Sequence, residues 1–265
     1  MHQNFSKATL AAMEAALLAG ELLKKGFGTQ FSISEKEGKH NLVTEYDRKA
    51  EAAILQFLRR EFPEIPFLAE ESGSSGTASN SSLWIIDPLD GTVNFAHDIP
   101  IFCVSIALER EGGIVTGIIY QPLTEELFVA EKGRGAFLNG KPISVSSTSL
   151  FARSILATGF PYNVENNPFH CIEHFIEIVK QGLPIRRLGS AALDLAYTAS
   201  GRFDGFFEVG LSPWDCAAGK LLVEEAGGRV THWDQKPFHI HSKRPLLATN
   251  GHIHEELAGF LHRTI

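Results

Sequence analysis

Apolar side chains recur at helical spacing from residue 6 to 25, with Leu10, Met13, Leu17 and Leu18 on one stripe, and the run stops near Gly26. This pattern predicts an amphipathic scaffold helix. Weak alternation from Phe31 to Lys39 fades into the polar tract 35–41, a solvent-exposed turn. Thr44 reads as an N-cap with Asp47 three positions on, and Ala50, Ala53, Ile54, Phe57 and Leu58 give the stripe of a second helix that Pro63 ends. Residues 65–69 read as a strand that delivers Glu70 and Glu71 at its end, beside the Ser/Gly/Asn tract 72–82, a mobile loop. Trp84, Ile85 and Ile86 are bulky and β-favouring, so they predict a buried strand, stopped by Asp87-Pro88.

Downstream, 102–109, 113–120 and 126–131 read as consecutive strands, and Asn139-Gly140 is a hairpin turn before 143–145, so an antiparallel sheet is expected. From residue 150 onward strands and helices alternate. Strands are predicted at 154–157, 184–188, 203–208, 229–232 and 246–249, and helices at 169–180, 190–200, 215–225 and 252–261. The change divides the chain into an N-terminal α+β unit with an antiparallel sheet, 1–150, and a C-terminal α/β unit, 151–265.

Composition narrows the class. The 265 residues, 44% of them hydrophobic, supply a full core. Cys103, Cys171 and Cys216 are an odd number with no close pair, as in a reducing cytoplasm, and their spacing excludes a zinc knuckle. A formal net charge of −7 argues against a surface that coats nucleic acid. Lys7, Glu14 and Glu21 interrupt the N-terminal apolar stretch as no signal peptide does, and no run approaches membrane-spanning length. The expectation is a cytoplasmic protein without a membrane or nucleic-acid partner.

Five acids fall at strand ends or helix starts: Asp47, Glu70, Asp87, Asp90 and Asp215. Alone, each is a cap or a solvated charge. Together they indicate a site, because clustered carboxylates repel unless a hard cation binds them, and Mg²⁺ takes few carboxylates plus phosphate oxygens. An all-oxygen set favours Mg²⁺ or Mn²⁺ over zinc. Asp90 follows Asp87 closely enough to share a cation, and Gly91 and Thr92 offer N–H groups to a phosphate if a helix begins there. A calcium loop is excluded by register, since with Asp87 first Gly91 is fifth rather than sixth and the twelfth residue is Asp98 rather than glutamate. Glu71 reads as a supporting or capping acid, Asn94 and His97 as turn and packing residues, and the pairs His239/His241 and His252/His254 as ordinary exposed histidines.

Residues 84–95, Trp-Ile-Ile-Asp-Pro-Leu-Asp-Gly-Thr-Val-Asn-Phe, and 213–219, Pro-Trp-Asp-Cys-Ala-Ala-Gly, resemble the two signature motifs of the inositol monophosphatase family. Residues 42–47, 69–72 and 133–140 match further family blocks in the expected order, so the resemblance spans nearly the whole chain. It implies an α/β (α+β layered) fold, an alternating αβαβα sandwich of helices and two sheets like that of inositol monophosphatase and fructose bisphosphatase, and a homodimer. It implies that Glu70, Asp87 and the Leu89 carbonyl bind a first Mg²⁺, that Asp87, Asp90 and Asp215 bind a second, and that a third, weaker ion shares Glu70. Phosphate would lie against the Gly91 and Thr92 N–H groups. The Thr92 hydroxyl, paired with Asp47, would act with Glu70 to orient and deprotonate a metal-bound water for in-line attack.

Lys36 aligns with a family lysine near the outer-metal water, with Lys39 as a competing alignment. Asp90, Gly189, Ser190, Ala191, Glu208 and Asp215 fall on the substrate side, where Glu208 matches a glutamate that touches sugar hydroxyls. Ala69 and Asn41 stand where the family often has Gly and Asp, and neither departure removes a ligand. The implied activity is lithium-sensitive, Mg²⁺-dependent hydrolysis of a small phosphorylated polyol or sugar, foremost myo-inositol monophosphate. Alternatives are another small phosphate (fructose 1,6-bisphosphate, NADP, histidinol phosphate or a 3′-phosphoadenosine nucleotide) or a member with a regulatory binding role.

Overall fold

In the computed structural model, which describes residues 5–35, 42–75 and 82–262, the first half of the chain forms α1 (Lys7–Gly26), β1 (Ile33–Glu35), β2 (Leu42–Thr44), α2 (Glu45–Glu61), β3 (Phe67–Ala69), β4 (Gly73–Ser75), β5 (Ser82–Asp90), α3 (Thr92–Ala96), β6 (Cys103–Arg110), β7 (Gly113–Gln121), β8 (Glu126–Glu131), β9 (Gly135–Leu138) and β10 (Lys141–Ile143). The second half adds β11 (Leu156–Thr158), α4 (Cys171–Val179), β12 (Ile185–Arg186), α5 (Ala191–Ala199), β13 (Gly205–Glu208), α6 (Pro213–Glu225), β14 (Arg229–His232), β15 (Leu246–Thr249) and α7 (His254–Leu261).

β3 to β10 build an eight-stranded sheet in the order β10-β9-β8-β7-β6-β5-β3-β4, antiparallel except where β3 and β5 run parallel. β11 to β15 build a five-stranded mixed sheet in the order β12-β11-β13-β15-β14. Helices α1 and α2 cover one face of the large sheet, α5 and α6 fill the space between the sheets, and α4 and α7 cover the far face of the small one. The result is the expected αβαβα sandwich. Strand alternation produces the layering: Phe206 and Ala248 point into the middle layer while Phe207 and Leu247 point outward.

Four expectations change. Helix α1 buries its alanines, Ala8 through Ala19, and leaves Leu10, Leu17 and Leu18 exposed, because the helix lies close on the sheet: a Cβ on Gly20 would stand 2.4 Å from the Tyr120 ring. Strand β5 does not stop at Asp87-Pro88 but continues to Asp90 through an irregular register. Part of the tract assigned to a loop is strand β4, paired antiparallel with β3; residues 76–81 lie outside the described residues. His254 is buried, held between the Thr249 and Thr231 hydroxyls at 2.9 Å each. Among the described residues no helix is long and apolar enough to cross a membrane.

Candidate active site

Different local devices deliver the five acids. Asp47 and Asp215 occupy the same position, the third residue of α2 and α6, and each closes its helix start by accepting the N-cap amide: Thr44 N–H to Asp47 Oδ2 and Ser212 N–H to Asp215 Oδ2, both at 2.7 Å. Asp47 turns its other oxygen inward to accept the Thr92 hydroxyl at 2.9 Å. Helix α6 brings Asp215 close because it rests directly on the large sheet, where a Cβ on Gly117 would stand 2.7 Å from the Ala218 carbonyl oxygen.

The turn at the end of β5 brings the central pair together. Ile85 packs into the middle layer while Trp84 and Ile86 pack under α1 and α2. Between Asp87 and Asp90 the pairing with β6 shifts register, and Leu89 falls on the side of Trp84 and Ile86. A one-residue slip exchanges the faces of a strand, so Asp87 and Asp90 end on the same side, toward α5 and α6. Asp90 Oδ2 there accepts the Ser190 hydroxyl and the Ala192 N–H, each at 2.7 Å, and Asp87 Oδ1 accepts the Leu89 N–H at 2.9 Å. Gly91, at φ 99° and ψ 34°, makes the exit from the strand, and its Cβ would stand 2.8 Å from the Ile101 carbonyl oxygen. Helix α3 is only five residues long, so an anion at the turn would meet the unpaired amides of a first helical turn more than a macrodipole.

Burial and mutual repulsion govern the ionisation. Asp87 is 2% exposed, and burial, then Glu70, Asp90 and Asp215, hold its carboxyl well above the usual carboxylate range. Asp215 is raised likewise, by burial and then by Asp90. Burial pushes Asp90 up to about 6 against the Ser190 hydroxyl, and Asp47 up to about 6 against the hydrogen bonds of Thr44 and Thr92. Glu208, at the end of β13, is pushed up to about 8 by burial and then by Asp90, opposed by Arg187. Glu70, Asp90, Glu208 and Asp215 keep part of their surface open to solvent. Among the described residues no three acidic, histidine or cysteine side chains already close on one point as a metal cage. The donor chemistry fits a hard cation nonetheless, since the charges that raise Asp87 are all carboxylates, and the Cys103 thiol beside Asp90 is pushed up by burial and so stays protonated.

The structure thus brings Asp87, Leu89, Asp90, Gly91 and Thr92 into one turn, joins Asp47 of α2 to it through Thr92, places Ser190 on it through Asp90, and sets Glu70, Glu208 and Asp215 within range of its charge. Gly189 and Ala191 flank Ser190 at the start of α5, whereas Lys36 lies outside the described residues. Asn94 is more than a turn residue: its amide donates to the Ile101 carbonyl at 2.7 Å and to the Leu188 carbonyl at 2.8 Å, tying the turn to the segment before α5. Asp194, 1% exposed on α5, was missed; its signal is a lone acid in the Ala- and Leu-rich run 190–200.

An αβαβα sandwich that folds distant carboxylates onto one glycine turn defines a phosphatase of small phosphate esters. The chain belongs to the inositol monophosphatase family, whose model matches residues 4–265. A relative from Synechocystis sp., named inositol-1-monophosphatase, is 46% identical over 258 residues, covering 96% of this chain and 88% of that protein. The Nus factor SuhB of Escherichia coli is 43% identical over 221 residues, 83% of each chain. The solved structure of the extragenic suppressor protein suhB from Bartonella henselae is 40% identical, covers 98% of this chain and 100% of its own, and superposes with a TM-score of 0.92.

Proposed function

We propose that the chain is a Mg²⁺-dependent phosphomonoesterase that hydrolyses myo-inositol monophosphate to inositol and phosphate. The observation that carries this reading is the Thr92–Asp47 hydrogen bond set in the same turn as Asp87 and Asp90. Glu70, Asp87 and the Leu89 carbonyl would hold one ion, and Asp87, Asp90 and Asp215 another, with Glu70 shared by a third; Mn²⁺ fits the same oxygens. When bound, the cation neutralises phosphate charge and lowers the pKa of water. The chain's own contributions are positional. Gly91 and Thr92 present N–H groups to the phosphate, and Asp47 holds the Thr92 hydroxyl so that its lone pairs, with the Glu70 carboxylate, receive the proton of the attacking water. The Ser190 segment, held by Asp90, and Glu208 would face the polyol.

Phosphate release from a panel of small phosphates, with Mg²⁺ and with EDTA, tests the reading. EDTA-sensitive turnover is expected, fastest with myo-inositol monophosphate and inhibited by millimolar lithium. No turnover of any member overturns the enzyme, and preference for fructose 1,6-bisphosphate or NADP overturns the inositol assignment. The same reading carries a homodimer working in the cytoplasm. The dimer is supported by the exposed apolar stripe Ile172, Ile176 and Val179 on α4, flanked by Phe169, and light scattering of the purified chain decides it.

A further inference from the structure

Gly159 directly follows β11 and Glu208 ends β13, two parallel neighbours in which Thr158 pairs with Phe207. The Thr158 hydroxyl donates to the Phe207 carbonyl at 2.8 Å and holds the strand ends in register. Beyond that pair the Glu208 carboxyl occupies the place of a side chain on Gly159. A Cβ there would stand 2.2 Å from Oε2 and 2.3 Å from both Cδ and Oε1. The backbone itself does not call for glycine, because Gly159 is absent from the positive-φ positions; only space does. The atoms in the way are the far end of a flexible side chain, so a methyl group at 159 displaces the carboxyl while the strands stay in place.

A second group limits where Glu208 can go. Asp194 is 1% exposed, its Oδ1 has no hydrogen-bond partner among the described residues, and after burial itself Glu208 is the group that acts on it most, followed by Asp90. Where both are ionised, repulsion from this buried acid opposes retreat of the Glu208 carboxyl toward α5. Exposed Arg187 is the positive charge that acts on both.

We infer that Gly159 is a specificity-determining position of this site: its missing side chain seats the Glu208 carboxyl at the cleft, where it accepts hydrogen bonds from the hydroxyl groups of a polyol monophosphate. Gly159 acts through Glu208 and is a positioning residue. The inference rests on the proposed polyol phosphatase reading and names the residue that tunes it.

The test compares wild type, Gly159→Ala, Glu208→Ala and the double variant, with Mg²⁺, on myo-inositol 1-phosphate and on p-nitrophenyl phosphate, which has no hydroxyl groups. Gly159→Ala is expected to raise KM for the inositol ester about tenfold more than for the aryl ester, the loss of one well-placed hydrogen bond. In the Glu208→Ala background the same change should alter KM less than about twofold, because coupled residues are not additive. A crystal structure of Gly159→Ala should show the Glu208 carboxyl displaced. An equal loss in both backgrounds, an equal loss on both esters, or an unmoved carboxyl overturns the inference. Wild type that turns over no polyol phosphate overturns the underlying reading, whereas wild-type turnover with unaltered Gly159→Ala kinetics overturns the role of Gly159 alone.

Discussion

The Thr92 hydroxyl stands 2.9 Å from Asp47 Oδ1 and 3.0 Å from the Leu89 carbonyl. Its single proton serves one acceptor at a time, and donation to Asp47 leaves the oxygen lone pairs free for a water. Asp47 is itself clamped by the Thr44 amide at 2.7 Å and the Thr44 hydroxyl at 2.6 Å, so the pair is rigid. Thr92→Val and Asp47→Asn are each expected to lower kcat by about 10²–10⁴, while Thr92→Ser retains most of the rate. Steady-state kinetics with circular dichroism check this; a Thr92→Val enzyme of near-wild-type rate removes the hydroxyl from the mechanism.

Asp90→Asn keeps an oxygen that can accept from Ser190 and Ala192 but removes the charge facing Asp87 and Asp215. Turnover should be abolished even at high Mg²⁺, with the melting temperature in EDTA equal to or above wild type, since repulsion is relieved. Differential scanning calorimetry with and without Mg²⁺ is the measurement. A variant that keeps the full Mg²⁺-induced rise shows that Asp90 is not a ligand.

Stability without metal should fall as pH rises from about 6.5 to 8.5. Glu208 is raised to about 8, and Asp87, Asp194 and Asp215 well above the usual range, so the folded chain holds protons that the unfolded chain has already released. Their unfavourable ionisation on folding is absent at low pH and grows through this window. His254, lowered to about 4 by burial, acts in the opposite sense below 6.5, which is why the window starts there. Melting temperatures in EDTA should drop across it, and Mg²⁺ should restore more at the alkaline end. A rise with pH in EDTA contradicts the buried acids.

Gly91→Ala imposes a side chain at φ 99° and drives its Cβ to 2.8 Å from the Ile101 carbonyl oxygen and 3.2 Å from Phe102. Backbone atoms cannot yield as a side chain does. Destabilisation of roughly 1–3 kcal/mol is expected from the strained backbone, together with loss of activity, read from urea midpoints and phosphate release. Unchanged stability indicates that the turn relaxes without the left-handed residue.

The positions of the candidate acids were legible in the chain because local signals mark the element ends that carry them. Thr44 with Asp47 marks a helix start, the run Trp84–Ile86 marks a strand, and Asp-Pro-Leu-Asp-Gly-Thr marks its end; the layered fold followed from the same motifs. The α1 face was misread because hydrophobicity points to Leu10, Leu17 and Leu18, whereas close packing against Tyr120 selects small residues. The continuation of β5 past Pro88 was also out of reach, since whether a register slip or a strand end follows Asp87 depends on pairing with β6. By itself the sequence determined which acids are candidates for the chemistry and most of the helices and strands that hold them, since periodicity, capping and turn preference act within a few residues. Only the tertiary structure decided that Asp87 and Asp90 share a face through a register slip and that Glu208 lies on Gly159, because contacts between distant segments are set by register and packing that no local pattern encodes.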